Sequence, residues 1–174
     1  MSIFNKLFKP YHNLNNNQKN KKFDLEILLA ADDVNSSIIE IDNFVCELCS
    51  WGNGIDKLTE YQKSFYFNQN LEREINNGGF NQYFYNSSGN FAHDTVISLK
   101  EINANKTADI LQEAINQFPD SIVPKNRDER QTLLEEMGET ANDIFETLDQ
   151  KFFLYEDDLN TLNIDYIRKN KNMF

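Results

Sequence analysis

Glu74-Ile75-Asn76-Asn77-Gly78-Gly79-Phe80-Asn81-Gln82-Tyr83-Phe84-Tyr85-Asn86-Ser87-Ser88-Gly89 is the stretch on which the reading of this chain turns. Two adjacent glycines separate a helical pattern from a dense aromatic run, and adjacent glycines permit a turn that residues with a Cβ resist. Phe80, Tyr83 and Phe84 recur at helical spacing directly behind them. The spacing predicts a short helix that starts at the glycines and buries one aromatic face. Two readings of the string follow. In the commoner one it is architectural, a turn followed by an aromatic wedge in the core. In the other, Asn77, Gln82, Tyr83 and Asn86 line a small pocket for a polar ligand.

Outward from this stretch the pattern is helical on both sides. Upstream, Leu58, Tyr61 and Phe65 share one side of a helix expected from about Ile55 to Ile75. Trp51-Gly52-Asn53-Gly54 closes an earlier helix, expected to start at the capping residues Asn35, Ser36 and Ser37 and to reach about Ser50. Phe23, Leu25, Ile27, Leu28 and Leu29 fit a short strand or a first helical turn equally well. Downstream, Asp94 reads as the N-cap of a run to Ile102. A break at Asn103 leads into Ala108, Leu111, Ile115 and Phe118, and Pro119 stops that helix.

The helix from about Arg127 to Leu154 carries the strongest pattern. Leu133, Leu134, Met137, Ala141, Ile144, Phe145, Leu148 and Phe152 fall on one arc, and Asp128, Glu129, Glu135, Glu136, Glu139, Asp143, Glu146 and Asp149 on the other. Gly138 is a point at which it can split. Glu156-Asp157-Asp158 restarts the chain, and Leu159, Leu162, Tyr166 and Ile167 close the core. Alternating runs bounded by turn pairs are almost absent. The expected fold is all-α, a single-domain bundle of six to eight helices.

The length of 174 residues suits one domain with a core that needs neither disulfide nor metal. Charge divides the chain in two. Residues 1–22 hold Lys6, Lys9, Lys19, Lys21 and Lys22 and no acid, a basic Asn/Lys-rich arm of +5. Taking that +5 from the total of −11 leaves −16 on residues 23–174. A body so charged repels nucleic acid and attracts basic partners, which excludes direct nucleic-acid binding by the folded part. Cys46-x-x-Cys49 lacks a second pair and a nearby histidine, so neither a zinc site nor redox chemistry is expected; the two read as small apolar side chains on a helix face. Reduced thiols fit a cytoplasmic protein. No run suits a membrane span. Ile3, Phe4, Leu7 and Phe8, with lysines between, make the first residues amphipathic without the form of a signal peptide; they read as a short amphipathic anchor or, in the commoner case, as a docking or frayed terminus.

Asn77-Gly78-Gly79-Phe80, then Gln82-Tyr83-Phe84, then Asn86-Ser87-Ser88-Gly89, together with the helical pattern from about Ile55 to Ile167, resemble the signature of a bacterial family of acidic, all-helical proteins named after a DNA-mimic protein. The resemblance implies an all-helical fold, a dimer, and a protein that occupies the DNA-binding surface of a transcription factor. The chain's own charges point the same way. Glu135, Glu139, Asp143 and Glu146 step by three or four residues, one negative charge per roughly 5–6 Å, against one phosphate per about 3.4 Å along a DNA strand. Glu156, Asp157 and Asp158 offer a second line. The plainer reading of this face is solubility.

Three functions are weighed. The first is a non-enzymatic acidic protein that mimics DNA and blocks a basic DNA-binding protein. The second is an immunity- or antitoxin-like inhibitor of a basic effector such as a nuclease, which a neighbouring toxin gene would favour. The third is an enzyme, for which the sequence offers only His93-Asp94, neighbours that do not face each other on a helix. No nucleotide, metal or nucleophile motif is present, and no cofactor is expected.

Overall fold

The computed structural model describes residues 23–174, and the expectations for the basic arm lie outside the described residues. Among them are seven α-helices: α1 (Leu25–Ala30), α2 (Val34–Leu48), α3 (Glu60–Tyr85), α4 (Ala92–Glu101), α5 (Asn105–Ile115), α6 (Arg127–Phe152) and α7 (Leu159–Lys169). Short 3₁₀ turns at Ile55–Lys57, Ser87–Phe91, Pro119–Ser121 and Lys171–Met173 connect or end them. No strand occurs among the described residues. The expected all-α bundle is what forms.

Side-chain caps explain where helices begin, and they correct several expected boundaries. The ambiguous segment after Phe23 is helical, because Asp24 accepts from the Ile27 N–H at 3.2 Å. α2 starts before Asn35, since Asp33 rather than a residue of the Asn-Ser-Ser run accepts from the Ser36 N–H at 3.0 Å. α3 starts at Glu60 instead of near Ile55. There Thr59 and Gln62 form a reciprocal capping box, Gln62 N–H to Thr59 Oγ1 at 3.2 Å and Thr59 N–H to Gln62 Oε1 at 3.0 Å. Asp94 is not an N-cap: the 3₁₀ turn Ser87–Phe91 runs directly into α4, which places Asp94 inside the first turn. The break at Asn103 is real, with φ of +65°.

α3 runs through two apolar cores. Its first half brings Phe65, Tyr66 and Phe67 to a smaller core with Ile38, Ile41 and Val45 of α2 and Ile164 and Ile167 of α7. Its second half brings Leu71, Ile75, Phe80, Tyr83 and Phe84 to a larger one with Leu99, Leu111, Ile115, Phe145 and Leu148. Phe80, Tyr83 and Phe84 are completely buried, worth about 1.5–3 kcal/mol each relative to exposure. Phe84 sits 4.9 Å from the Phe118 ring and 5.4 Å from that of Phe145, so the motif's wedge joins α3 to α6 and to the end of the α4–α5 hairpin. Cys46 and Cys49 are free and buried on the smaller core, as small apolar side chains. Burial pushes the Cys46 thiol up to about 12, which suits packing rather than reactivity.

Candidate functional site

The run of polar and glycine residues from Asn76 to Gly89 folds into a junction between α3 and α6. α3 breaks where expected: Gly78 is extended and Gly79 has φ of +71°. A Cβ on Gly79 would lie 2.1 Å from Asp149 Oδ2, so both the backbone and the space require glycine there. Asp149 reaches into the break, and its Oδ1 accepts from the Phe80 N–H at 2.9 Å, capping the second half of the helix. Burial raises the Asp149 carboxyl above its ordinary value, opposed by that hydrogen bond. Asp149 is therefore not part of a free acidic face; it closes the glycine break.

The motif's carboxamides are also mostly engaged. Glu74 accepts from Gln82 Nε2 at 2.8 Å, from Asn86 Nδ2 at 2.9 Å and from Ser88 Oγ at 3.2 Å. Tyr83 is sealed in the core and donates to Thr95 Oγ1 at 3.0 Å. The expected pocket of Asn77, Gln82, Tyr83 and Asn86 does not form, because Tyr83 faces the opposite way and Asn86 binds Glu74.

Sequence reasoning missed Arg130, whose side chain is entirely buried. Its guanidinium donates to the Phe84 carbonyl at 2.6 Å, the Pro124 carbonyl at 2.5 Å, the Asn86 carbonyl at 2.7 Å and Asn90 Oδ1 at 2.8 Å. Burial lowers its pKa. Gly89 is the close approach that admits it, since a Cβ there would stand 2.6 Å from Arg130 Nε. One signal was readable: position 130 lies four residues before Leu134 and seven before Met137, on the apolar stripe of α6.

Two hollows of about 570 and 560 Å³ follow one another along the seam of α3 and α6. The first is bordered by Asn77, Gly78 and Gly79 on α3 and by Asp143, Glu146 and Phe153 on the other side. The second is bordered by Asn81, Gln82 and Tyr85 on α3 and by Gln131, Glu135 and Glu139 on α6. α6 itself bends at Gly138, with φ of +64°.

The α6 carboxylates form the outer wall. Asp128, Glu129, Glu135, Glu136, Glu139, Asp143 and Glu146 are all exposed. Among the described residues, none of the five from Glu135 to Glu146 has a salt bridge, although seven ion pairs form elsewhere in the molecule. The second acidic line does not add to this wall. Glu156 pairs with Lys106. Asp157 Oδ2 accepts from the Thr107 N–H at 2.7 Å and so caps α5. Asp158 caps α7 through the Thr161 N–H at 3.1 Å. Each satisfies a helix terminus or a lysine, which sequence spacing does not reveal.

A family model described as DMP19-like protein matches residues 56–170. The chain belongs to the DMP19-like family. No curated protein and no solved structure matches it. The DMP19-like region takes in the glycine break, Arg130 and the whole of α6, and omits α1 and α2. No group of three or more His, Cys, Asp or Glu side chains among the described residues is placed to hold a metal. No described helix is long and apolar enough to cross a membrane.

Proposed function

We propose that this DMP19-like chain is a non-catalytic binding protein whose α6 wall takes the place of DNA on the basic surface of a DNA-binding protein. The observation that carries the reading is the run Glu135, Glu136, Glu139, Asp143 and Glu146, exposed and without a cationic partner among the described residues. Like charges three and four residues apart destabilise a helix by about 0.2–0.5 kcal/mol per pair, so a surface kept in this form gains from a basic partner. Membership of the DMP19-like family and the resemblance to a DNA mimic support the same role. The wall is one strand long. The resemblance implies a dimer, and equilibrium sedimentation measures whether the chain pairs.

Binding of this kind releases counterions and weakens steeply with salt. The test is capture on the immobilised chain at low salt from the native host, followed by elution with double-stranded DNA. A basic DNA-binding protein that DNA displaces, and that a Glu135→Gln, Glu139→Gln, Asp143→Asn, Glu146→Gln chain fails to capture, is the expected result. Capture that is indifferent to DNA, to salt and to those four substitutions would sink the reading. A captured nuclease or toxin in place of a DNA-binding regulator would assign the same wall to inhibition of a basic effector.

A further inference from the structure

The turn after α6 is an apolar corner. Phe153, Leu154 and Tyr155 follow one another there, and they are 38%, 68% and 41% exposed. A contiguous apolar patch rimmed by polar groups marks a surface that gains from being covered. This corner is also held in shape. The Leu154 N–H donates to the Lys151 carbonyl at 3.2 Å, and the Tyr155 N–H to the Phe152 carbonyl at 3.0 Å. Tyr155 has φ of +46°, a left-handed conformation that a residue with a Cβ adopts only at a cost. Its hydroxyl is fixed by Asn76 Nδ2 at 2.6 Å and by Glu72 Oε1 at 3.2 Å, and its ring lies 5.5 Å from that of buried Phe152. The turn thus presents Phe153 and Leu154 from a rigid base, which reduces the entropy that docking must offset.

The corner is continuous with the seam between α3 and α6. Phe153 borders the first hollow, whose α6 side also carries Asp143 and Glu146. Both carboxylates are exposed and have no salt bridge among the described residues. None of the three cations on α6 turns to them. Lys151 pairs with Glu113, Arg127 donates to the Tyr85 carbonyl, and Arg130 donates to the Phe84 carbonyl. At about 1.5 Å per residue, Glu146 lies about 10 Å and Asp143 about 15 Å from Phe153 along the helix. An extended peptide covers that span with about three to five residues. Carboxylates alone accept any cation, and an apolar corner alone accepts any apolar surface. Set side by side at a fixed spacing, they select a segment that offers both.

We propose that the corner and the first hollow together dock a polypeptide segment of a partner protein, one that carries apolar residues about three to five positions from a pair of lysines or arginines. The apolar side chains lie on Phe153 and Leu154, and the cations on Asp143 and Glu146. The proposal rests on the reading of the α6 wall as a surface for a basic protein, and it adds what that protein carries beside its cations. A phosphate backbone has no counterpart to the corner. The contact therefore contributes affinity that charge mimicry lacks and that salt does not screen.

The test is fluorescence anisotropy on the full chain with two labelled synthetic peptides. Both carry the same short run of lysines; one has leucine and phenylalanine about four positions beyond it, the other serines. Expected at low salt is binding of the apolar peptide roughly tenfold tighter than that of the serine peptide. The gap should persist in several hundred millimolar salt while both affinities fall. A Phe153→Ser, Leu154→Ser chain should bind both peptides alike, as the natural chain binds the serine peptide. An Asp143→Asn, Glu146→Gln chain should bind both less tightly. Circular dichroism on each variant confirms that helix content is retained. Equal affinities of the two peptides for the natural chain, or a preference that survives Phe153→Ser, Leu154→Ser, would overturn the proposal and leave the wall standing. Affinities untouched by Asp143→Asn, Glu146→Gln would overturn it together with the wall. A second copy of the chain is the rival occupant: if the natural chain pairs in equilibrium sedimentation and a Leu154→Ser chain does not, the corner is a contact between copies and the proposal falls.

Discussion

Arg130 is a buried cation with no carboxylate beside it. Four oxygen dipoles, from Phe84, Asn86, Asn90 and Pro124, replace its water. The guanidinium fork suits them because it donates in several fixed directions at once, which an ammonium does not. Arg130→Lys should therefore lose about 2–4 kcal/mol, since carbonyls left without a donor keep their desolvation penalty; urea unfolding measures it, and a loss of a few tenths would refute the clamp. Gly79 allows a finer dissection. Gly79→Ala meets two obstacles, the left-handed φ and Asp149 Oδ2. It should destabilise by about 2–4 kcal/mol in the natural chain and by about 1–2 kcal/mol when Asp149 is already alanine. Equal losses in both backgrounds would show that the carboxylate contact is incidental.

α6 combines an apolar stripe, a clamp and a wall of like charge. Its wall predicts an unusual sign. Glu139 stands one turn from both Glu135 and Asp143, so Glu139→Gln should raise thermal stability by about 0.4–1 kcal/mol at low salt, with the gain shrinking as salt rises. A thermal melt at two ionic strengths checks this; destabilisation by the substitution would mean that Glu139 has a favourable partner. The same element shows what a sequence does and does not disclose. Its apolar stripe, its start near Arg127 and its bend at Gly138 were legible, because periodicity and glycine each act locally. Asp149 looked like one more exposed acid, because its partner is the Phe80 N–H, 69 residues away in the chain. Asp157 was misread for the same reason, its partner being the Thr107 N–H. The glycine pair predicted a break, but nothing local to it tells which side chain fills the break. Charge type is readable in one dimension; the pairing of a charge is not.

At the scale of the whole molecule the two cores meet on α3, and polar groups occupy the meeting line. Arg73 donates to Asp42 on α2 at 2.5 Å. One residue earlier, Glu72 accepts from the Tyr155 hydroxyl at 3.2 Å, and Asn76 Nδ2 donates to the same hydroxyl at 2.6 Å. This ties the segment after α6 to α3. Burial pushes the Glu72 carboxyl from 4.5 up to about 6, with Asp42 and Asp158 adding to the rise and the Tyr155 hydroxyl opposing it. The folded chain thus holds this proton more tightly than the unfolded chain, so its contribution to stability is complete below about 4.5 and lost as pH climbs through about 6. Its size is up to about 2 kcal/mol. The chain carries 28 aspartates and glutamates, so the contribution must be read as a difference. Glu72→Gln keeps an acceptor for Tyr155 and carries no charge at any pH. Stability of the natural chain relative to this variant should improve by up to about 2 kcal/mol on going from neutral pH to the ordinary carboxylate range. Denaturant unfolding of both chains across that interval measures it. A constant difference would mean that Glu72 titrates as an ordinary exposed carboxylate, and that the line between the two cores is wet.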